Sequence, residues 1–394
     1  MPLLETTFNS EKAFEDAVIE RLIAYGWEER ILEYKTEQEL IDNWAEILFE
    51  NNRDIDRLGD FPLTTGEKRQ LIEQVNSLRT PVKLNSLING KNITITRDNT
   101  EDTAHCGKEV SLKIYDRKEI AAGQSRYQIV RQPLFPTANS IASDRRGDLT
   151  LLINGMPLIH IELKKSGIPV SQASNQIEKY AHEGIFDSGL FSLVQIFVAM
   201  CPEESIYFAN PGPDGKFNRD YYFHWADLNN EPINEWYRVC ETLLSIPMAH
   251  QMIGFYTVAD TNDGCLKVMR SYQYFAASAI SQKVQRTHWD EVDNHGGYIW
   301  HTTGSGKTLS SFKSAQLIAQ SHDADKVVFL MDRIELGTQS FKEYQGFAED
   351  SETVNDTSFT STLVSKLKSS NANEVLIVTS IQKMSNIKES EVQY

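Results

Sequence analysis

Residues 301–308, with the sequence HTTGSGKT, restrict the fold of this chain more than any other stretch. The apolar residues 298–300 precede the segment and an amphipathic stretch follows it, which predicts a strand, a glycine-rich loop and a helix. In such a loop, Gly304 and Gly306 let backbone N–H groups turn toward a bound phosphate, and the helix N-terminus attracts negative charge. The segment therefore predicts a nucleotide-binding α/β domain.

The side chains of this loop also suit phosphate binding. Lys307 can reach the β- and γ-phosphates, and the Thr308 hydroxyl can ligate a magnesium ion at the helix N-terminus. The first motif position holds His301 where the general pattern has glycine, and a flexible glycine turn is the alternative interpretation. The predicted nucleotide-binding residues of this segment are Thr303, Gly304, Ser305, Gly306, Lys307 and Thr308.

The chain is long enough for at least two cores, and turn signals divide it. Pro247 and the turn signal at residues 262–264 lie where we expect the boundary. One domain is expected over residues 1–255, with its core at about residues 90–200, and another over residues 256–394. In the second domain, predicted strands and helices alternate, as expected for a parallel α/β sheet.

Composition bears on the partners and the location of the protein. A net charge of -16 counts against a uniformly basic DNA-binding surface, so DNA binding would need a local basic groove. The four cysteines are scattered, which predicts neither a disulfide framework nor a zinc site. There is no signal-peptide pattern and no apolar run long enough to span a bilayer, so we expect a cytoplasmic protein without a membrane partner.

The first part of the chain changes from helical to strand patterns. Ser10 is a capping residue at the start of an apolar-periodic stretch and predicts an opening helix. The other predicted elements are helical material at residues 36–80, strands at residues 92–130, a hairpin of residues 149–153 and 158–164 around a turn at residues 154–157, a helix near residues 171–182 and a buried strand at residues 193–200.

The predicted hairpin brings two acids and a lysine together. Because strand residues alternate, His160, Glu162 and Lys164 share one face of the second strand, and apolar residues take the other. Counting outward from a turn of two to four residues places Asp148 opposite residue 161, 162 or 163, within reach of Glu162. The alternative interpretation is a solvated strand face with a cross-strand ion pair.

Metal binding is the chemistry expected of this cluster, because two close carboxylates repel each other unless a divalent cation lies between them. Oxygen ligands from Asp148, Glu162 and the Leu163 carbonyl favour Mg²⁺, which polarises a phosphodiester and lowers the pKa of a bound water. Lys164 would orient that water or stabilise charge on the phosphate. His160 is expected to be a hydrogen-bonded neighbour, since oxygen ligands suit magnesium.

The pattern of Asp148 followed by Glu162-x-Lys164 resembles the PD-(D/E)xK nuclease superfamily. Gly147 stands where that family often has proline. The resemblance implies an N-terminal nuclease domain, built as a mixed sheet flanked by helices, in which Asp148, Glu162 and Lys164 are catalytic and the two acids hold the metal.

A second motif extends this resemblance to the RecB-like branch of the superfamily. Gln176 and Tyr180 resemble its Q-x-x-x-Y motif, and their spacing puts both on one helix face. The branch also implies catalytic roles for these two residues and an acid on the first helix near the metal, for which Glu15 is the candidate. Arg145 and Arg146 could hold phosphates or could form a solvated basic turn.

The C-terminal part is similar to the first RecA-like lobe of superfamily 2 helicases. This resemblance puts Gln273 at the adenine-reading position, and Arg333, Gln382 and Lys383 in motifs that contact DNA. Asp332 also ends an apolar strand and could be a Walker B acid or a helix cap, but its Asp-Arg-x-Glu-Leu context favours a DNA-contacting motif. The lobe is then expected to be incomplete before its Walker B acid, so the chain would bind ATP but turn it over poorly.

The order of these motifs is similar, over essentially all of the chain, to the R subunit of type I restriction-modification enzymes. That resemblance implies an ATP-dependent DNA translocase and Mg²⁺-dependent endonuclease that cuts double-stranded DNA away from its recognition site, beside methyltransferase and specificity subunits. Two alternatives stay open. One is a stand-alone helicase-nuclease of repair or recombination, and the other is a non-enzymatic, ATP-responsive assembly module whose carboxylates form surface pairs.

Overall fold

The computed structural model describes residues 6–55, 57–120, 123–136, 145–213, 215–287, 296–331, 334–348, 354–356, 359–371 and 375–387. The chain divides into two compact units, called here the N-terminal unit (Met1–Val258 with Gly264–Val268) and the C-terminal unit (Ala259–Asp263 with Met269–Tyr394). Among the described residues, every helix is too short or too polar to cross a bilayer.

The helices of the N-terminal unit are α1 (Glu11–Ala24), α2 (Glu37–Asn51), α3 (Thr65–Leu78), α4 (Pro81–Ile88), α5 (Val170–His182), α6 (Trp236–Thr242) and α7 (Met248–Gly254). Ser10 caps α1 as predicted, because its hydroxyl accepts a hydrogen bond from the Ala13 N–H at 3.2 Å. At the start of α2, Thr36 and Glu39 form a capping box. These caps satisfy N–H groups that would otherwise lack partners within the helices.

The strands of this part are β1 (Ile31–Glu33), β2 (Ile93–Thr96), β3 (Glu109–Leu112), β4 (Tyr127–Arg131), β5 (Leu134–Phe135), β6 (Arg145–Arg146), β7 (Leu149–Ile153), β8 (Met156–Leu163), β9 (Ile196–Cys201) and β10 (Glu204–Ala209), followed by the pair β11 (Thr257–Asp260) and β12 (Cys265–Val268). Six of them form the main sheet in the order β1-β4-β7-β8-β9-β10. Neighbours β1 and β4 are parallel, as are β8 and β9, and the other neighbours are antiparallel. The predicted mixed α/β arrangement is therefore confirmed.

The core of this unit lies along the middle of the main sheet. Every residue of β7, β8 and β9 is buried, so both faces of these strands are covered. This burial differs from the predicted hairpin with one polar face, because His160 and Glu162 lie inside the protein although they alternate with apolar residues. The polar side chains of β8 must therefore find partners within the core.

The β7–β8 hairpin turns over two residues of the predicted 154–157 segment, the shortest of the two to four that the sequence pattern allows. Asn154 (φ 53°) and Gly155 (φ 80°) both have left-handed backbone, as a type I′ turn requires, so β8 already begins at Met156. Pro157 pairs with Leu152 of β7 next to a register shift between Leu151 and Leu152, and it is accommodated because pairing with β9 begins only at Ile159.

The C-terminal unit contains α8 (Ser271–Arg286), α9 (Lys307–Ser321), β13 (Val327–Met331), α10 (Ile334–Phe347), β14 (Val354–Asp356), α11 (Thr360–Lys368), β15 (Leu376–Ser380) and α12 (Ile381–Ser385). Its three described strands are parallel and follow the order β13-β15-β14. Helices connect strands that run in the same direction, as a parallel sheet requires. The predicted alternation around a parallel sheet is confirmed.

The strand predicted at residues 298–300 is wrong for this structure. Tyr298 and Trp300 lie in extended coil and are 88% and 87% exposed. A strand must pair its backbone N–H and C=O groups with a neighbour, and none of the described residues pairs with this segment. The apolar composition was therefore not sufficient to make these three residues a strand.

Candidate metal centre and nucleotide loop

The two predicted metal-binding acids face each other across β7 and β8. Leu149 pairs with Ile161, so the next position outward puts Asp148 opposite Glu162. Facing residues of an antiparallel pair project to the same side of the sheet. The Leu163 N–H donates a hydrogen bond to Asp148 Oδ2 at 2.7 Å, which holds the Asp148 carboxyl group against β8.

Burial opposes ionisation of both carboxyl groups. Loss of water raises the pKa of Glu162 to about 8, and the nearby charge of Lys164 acts in the opposite direction. Burial raises the pKa of Asp148 well above its ordinary value, and the charge of Glu162 raises that pKa further. Both groups can ionise together only if a cation compensates their charge.

The two oxygens of Glu162 have different surroundings. Oε1 lies 3.0 Å from His160 Nε2, whose other ring nitrogen lies 3.0 Å from Thr150 Oγ1. Oε2 is buried and receives no hydrogen bond from the described residues. A buried acceptor without a donor is costly, and it is the kind of oxygen that a cation would satisfy.

These donors fit a hard divalent cation. Among the described residues there is no group of three or more His, Cys, Asp or Glu side chains arranged to hold a metal ion, so a site built from such side chains alone is not present there. Magnesium is bound in proteins through as few as one or two carboxylates, with waters completing its shell. Asp148 and Glu162, with the Leu163 carbonyl, therefore suit Mg²⁺ better than zinc, which favours histidine and cysteine.

Lys164 follows the end of β8, beside the two acids. Its Nζ donates a hydrogen bond to the Leu163 carbonyl at 2.9 Å and lies 3.5 Å from Glu11 Oε1. The Leu163 carbonyl oxygen has a second lone pair, so the contact with Lys164 leaves it able to bind another group. The positive charge of Lys164 lowers the pKa of both Asp148 and Glu162, which shows that it acts on the carboxylate pair.

Gln176 and Tyr180 share one face of α5, as their spacing predicts. Gln176 Nε2 donates a hydrogen bond to the Tyr180 hydroxyl at 2.7 Å, and that hydroxyl donates to the Arg146 carbonyl at 2.7 Å. The pKa of Tyr180 is raised, chiefly by burial and then by the charge of Glu162. The two residues thus connect α5 to the backbone that leads into Asp148.

Glu15 is a buried residue of α1 and lies near the site. Its carboxylate forms an ion pair with Arg131 and accepts a hydrogen bond from Gln132 Nε2 at 3.3 Å. Gln132 in turn donates its backbone N–H to the Asp148 carbonyl at 2.8 Å. Burial raises the pKa of Glu15, and the charge of Asp148 adds to this effect. Glu15 is therefore close to the acids but is engaged by Arg131.

The basic residues before Asp148 have different partners. Arg145 forms an ion pair at 2.9 Å with Glu183, the residue after α5, and the Arg146 guanidinium lies over the Tyr34 ring, 5.8 Å from its centre. Between these arginines and Asp148 is Gly147, where an added Cβ would lie 2.5 Å from a His160 ring carbon. Close packing explains why this chain has glycine there instead of the larger proline.

The nucleotide loop has the backbone that its glycines predict. Gly304 and Gly306 have φ values of 77° and 78°, in the left-handed region that glycine adopts without strain. Lys307 begins α9, and its Nζ donates to the Thr302 carbonyl at 2.9 Å, within the loop. Ser305 Oγ also donates to that carbonyl, at 2.8 Å. The remaining predicted residues are the exposed Thr303 and the half-buried Thr308.

Gln273 contacts the loop directly. Its Nε2 donates a hydrogen bond to the Ser305 carbonyl at 3.1 Å, and its Oε1 accepts one from the Arg270 N–H at 3.0 Å. The Tyr272 hydroxyl donates to the same Ser305 carbonyl at 2.9 Å. Both ends of the Gln273 amide are thus engaged with protein, and its adenine-reading role stays a prediction.

The predicted DNA-contacting residues are only partly described. Gln382 is exposed and Lys383 is half-buried, both on α12, which Ser380 caps at the end of β15. Arg333, like Asp332, lies outside the described residues. The structure thus puts two of the three predicted contacts at the end of a parallel strand.

Thr150, Arg131 and Gln132 also belong to the candidate metal centre, although no motif marks them. Thr150 could be found from the sequence, because the alternation that pairs Asp148 with Glu162 also pairs Thr150 with His160. Arg131 is the last residue of β4, and Gln132 follows it. These residues lie near Asp148 because β4 pairs with β7 in the folded sheet. That pairing is not a local property of the sequence.

Known proteins resemble both parts of the chain. Residues 8–216 match the family model described as type I restriction enzyme R protein N terminus, and residues 272–394 match the model described as SWI2/SNF2 ATPase. A type I restriction enzyme endonuclease subunit from Staphylococcus saprophyticus is 35% identical over 382 residues, which covers 96% of this chain and 37% of the relative.

Other relatives have the same description. A type I restriction enzyme endonuclease subunit from Staphylococcus aureus (strain MSSA476) is 33% identical over 381 residues, with 96% of this chain and 37% of the relative covered. One from Escherichia coli is 32% identical over 195 residues, covering 49% of this chain and 60% of the relative. The chain spans 37% of the length of the two staphylococcal relatives. Because the R protein match covers more than half of the sequence, the chain belongs to the family of type I restriction enzyme R proteins.

Proposed function

We propose that the N-terminal unit is a Mg²⁺-dependent DNA endonuclease of the PD-(D/E)xK type, and that the C-terminal unit is the first lobe of an ATP-driven DNA motor. One observation carries the nuclease proposal. The buried carboxyl group of Glu162 and the half-buried one of Asp148 converge, and one of their oxygens, Glu162 Oε2, receives no hydrogen bond from the described residues. A solvated surface pair would not explain the full burial of Glu162.

Each residue of the centre has a proposed role. Asp148, Glu162 and the Leu163 carbonyl hold the metal, and Lys164 orients the attacking water or stabilises charge on the scissile phosphate. Bound magnesium supplies a Lewis acid for the phosphodiester and lowers the pKa of a ligated water. Glu15 is proposed as the further acid of the first helix, acting from beside the pair because Arg131 engages its carboxylate.

The residues around this centre would position DNA. Gln176 and Tyr180 hold the backbone that precedes Asp148, so they act on the placement of the catalytic acid. Arg145 and Arg146 are proposed to meet phosphates of the double-stranded substrate, for which Arg145 would exchange its partner Glu183. Such local basic residues reconcile DNA binding with the acidic overall charge.

In the motor, the glycine-rich loop would hold ATP. Gly304, Gly306 and the backbone N–H groups between Thr303 and Lys307 would surround the β-phosphate, and Lys307 would exchange the Thr302 carbonyl for phosphate oxygens. Thr308 would ligate the magnesium of the nucleotide. Gln273 is proposed to read adenine while it braces the loop, and Arg333, Gln382 and Lys383 to contact the DNA backbone.

The activity of a whole enzyme is a further proposal, since the chain spans only part of its relatives. We propose a type I restriction enzyme that translocates double-stranded DNA at the expense of ATP, cuts away from its recognition site, and works with methyltransferase and specificity subunits. The similarity to type I restriction enzyme endonuclease subunits favours this over a stand-alone repair helicase-nuclease. Genes for those two subunits beside this one would support the choice.

The test is cleavage of supercoiled plasmid DNA by the purified chain, with Mg²⁺ or with EDTA. We expect nicked and linear products only with the metal, and loss of both products in Asp148→Asn and Lys164→Ala. Glu20→Gln, a change of an exposed acid on α1, is the matched control and should cleave like the wild type. Cleavage by the wild type that persists in EDTA, or equal cleavage by Asp148→Asn, would overturn the nuclease assignment.

A further inference from the structure

A chain of three buried side chains ends at the candidate metal centre. Thr150, His160 and Glu162 are each 0% exposed. Thr150 Oγ1 lies 3.0 Å from His160 Nδ1, and His160 Nε2 lies 3.0 Å from Glu162 Oε1. Both ring nitrogens of His160 are therefore occupied, and neither is available as a metal ligand.

The direction of these hydrogen bonds follows from the chemistry of the metal-bound state. A carboxylate that binds a cation is ionised, so Glu162 Oε1 can only accept a hydrogen bond. His160 must then carry its proton on Nε2 and, as a neutral imidazole, accept the Thr150 hydroxyl proton at Nδ1. Each group thus fixes the orientation of the next.

Aromatic side chains hold the imidazole ring in place. The rings of Phe135 and Phe186 each lie 5.5 Å from it, measured between centroids, and those of Phe197 and Tyr180 lie at 6.4 and 6.5 Å. Dense packing of this kind leaves little room for another rotamer. The Nε2 atom of His160 is therefore held toward Glu162.

We propose that His160, oriented by Thr150, is a positioning residue that holds Glu162 Oε1 and thereby directs Glu162 Oε2 to a divalent cation shared with Asp148. This inference rests on the proposed metal-dependent function. Hydrogen-bonded neighbours of metal ligands orient those ligands, and their removal typically weakens metal binding by roughly 10- to 100-fold. The alternative is that His160 is only a core residue whose polar atoms are satisfied.

The experiment measures Mn²⁺ binding to the full chain by isothermal titration calorimetry, with plasmid cleavage as a second readout. The Mn²⁺ binding that is lost in Asp148→Asn is assigned to this site. His160→Leu removes both hydrogen bonds, whereas His160→Gln keeps one donor and one acceptor. We expect His160→Leu to raise the Kd for Mn²⁺ by at least about tenfold, and His160→Gln to restore it to within roughly threefold of the wild type.

A matched control separates positioning from the general effect of changing a buried histidine. His250 is also 0% exposed, and its Nδ1 likewise lies 3.0 Å from a hydroxyl group, that of Tyr127. Tyr127 pairs with Ile153, at the other end of β7 from Asp148. His250→Leu should therefore leave the Kd for Mn²⁺ unchanged, and Thr150→Val should raise it by a smaller factor than His160→Leu.

Each outcome has a distinct meaning. If the wild type binds Mn²⁺ through Asp148 but His160→Leu binds equally well, the positioning role is wrong and the nuclease proposal survives. If His160→Gln is as weak as His160→Leu, the hydrogen bonds do not explain the effect and the inference also fails. If Mn²⁺ binding by the wild type does not depend on Asp148, both proposals fall. If His160→Leu does not fold, Thr150→Val and His160→Gln still test the positioning role of His160. That role requires Thr150→Val to weaken Mn²⁺ binding more than His160→Gln does.

Discussion

Replacing Glu162 by glutamine should stabilise the metal-free protein, and increasingly so as the pH rises. Glutamine has nearly the shape of glutamate, so its amide oxygen can still accept the hydrogen bond from His160 Nε2. Its amide NH₂ group would face Asp148 and could donate to that carboxylate. The substitution therefore removes a buried ionisable group and leaves the packing of β8 unchanged.

The size of this effect follows from the pKa of Glu162, which rises from an ordinary 4.5 to about 8 in the folded protein. Between these values the folded state binds more protons at Glu162 than the unfolded state does. The contribution of protonated Glu162 to the free energy of unfolding is therefore fully present below pH 4.5 and is lost as the pH rises through 8. In that window the unfolding equilibrium constant changes by up to roughly tenfold per pH unit. Between pH 5.5 and pH 7, the wild type should lose about 2 kcal/mol relative to Glu162→Gln.

Urea unfolding in EDTA, followed by tryptophan fluorescence, measures this difference. Four of the six tryptophans, Trp27, Trp44, Trp225 and Trp236, lie in the N-terminal unit, so the signal reports mainly on that unit. Glu20→Gln, at an exposed position, should follow the wild type at every pH. Equal stability of the wild type and Glu162→Gln at pH 7, or a difference that does not change with pH, would refute the reasoning.

Three further predictions concern other parts of the structure. Lys307→Ala should abolish the rise in melting temperature that Mg-ATP produces in the C-terminal unit. Lys368→Ala, at an exposed position on α11, is the control and should keep that rise. A retained rise in Lys307→Ala would contradict the assignment of the loop to nucleotide binding. Gly147→Ala puts a methyl group 2.5 Å from a His160 ring carbon and should lower the free energy of unfolding by about 1–3 kcal/mol. A change near zero would contradict the close contact between Gly147 and His160. Tyr180→Phe removes a hydroxyl that donates one hydrogen bond and accepts another and should cost about 1 kcal/mol in urea unfolding; an unchanged midpoint would argue against both contacts.

The part of the candidate site that could be predicted from sequence depends on local rules. Alternation along a strand and a turn signal at Asn154-Gly155 bring Asp148 to within one position of Glu162, because a turn of two to four residues leaves residue 161, 162 or 163 as its partner. The two-residue turn by itself would put Asp148 opposite Ile161, and the register shift between Leu151 and Leu152 moves it opposite Glu162. In the same way, helical spacing alone places Gln176 beside Tyr180.

The rest depends on contacts between distant segments. The ion pair of Glu15 with Arg131 joins α1 to β4, and no local pattern indicates which strand lies beside which. The burial of His160 likewise results from aromatic residues of several elements, so alternation along the strand predicts a hydrogen-bonded neighbour of Glu162 there but not its enclosure. Residues 298–300 have strand-like composition, but whether they pair depends on a neighbour that composition does not specify.

The central claim is that Asp148 and Glu162 together hold a divalent cation. The most direct measurement is a crystal structure of the chain grown with Mn²⁺, in which an anomalous difference map locates the metal. The account predicts one strong peak within roughly 2.0–2.3 Å of oxygens from both carboxylates, with Glu162 Oε2 among them, and no such peak in Asp148→Asn. A Mn²⁺ peak that touches neither carboxylate, or none between β7 and β8 at saturating Mn²⁺, would contradict it.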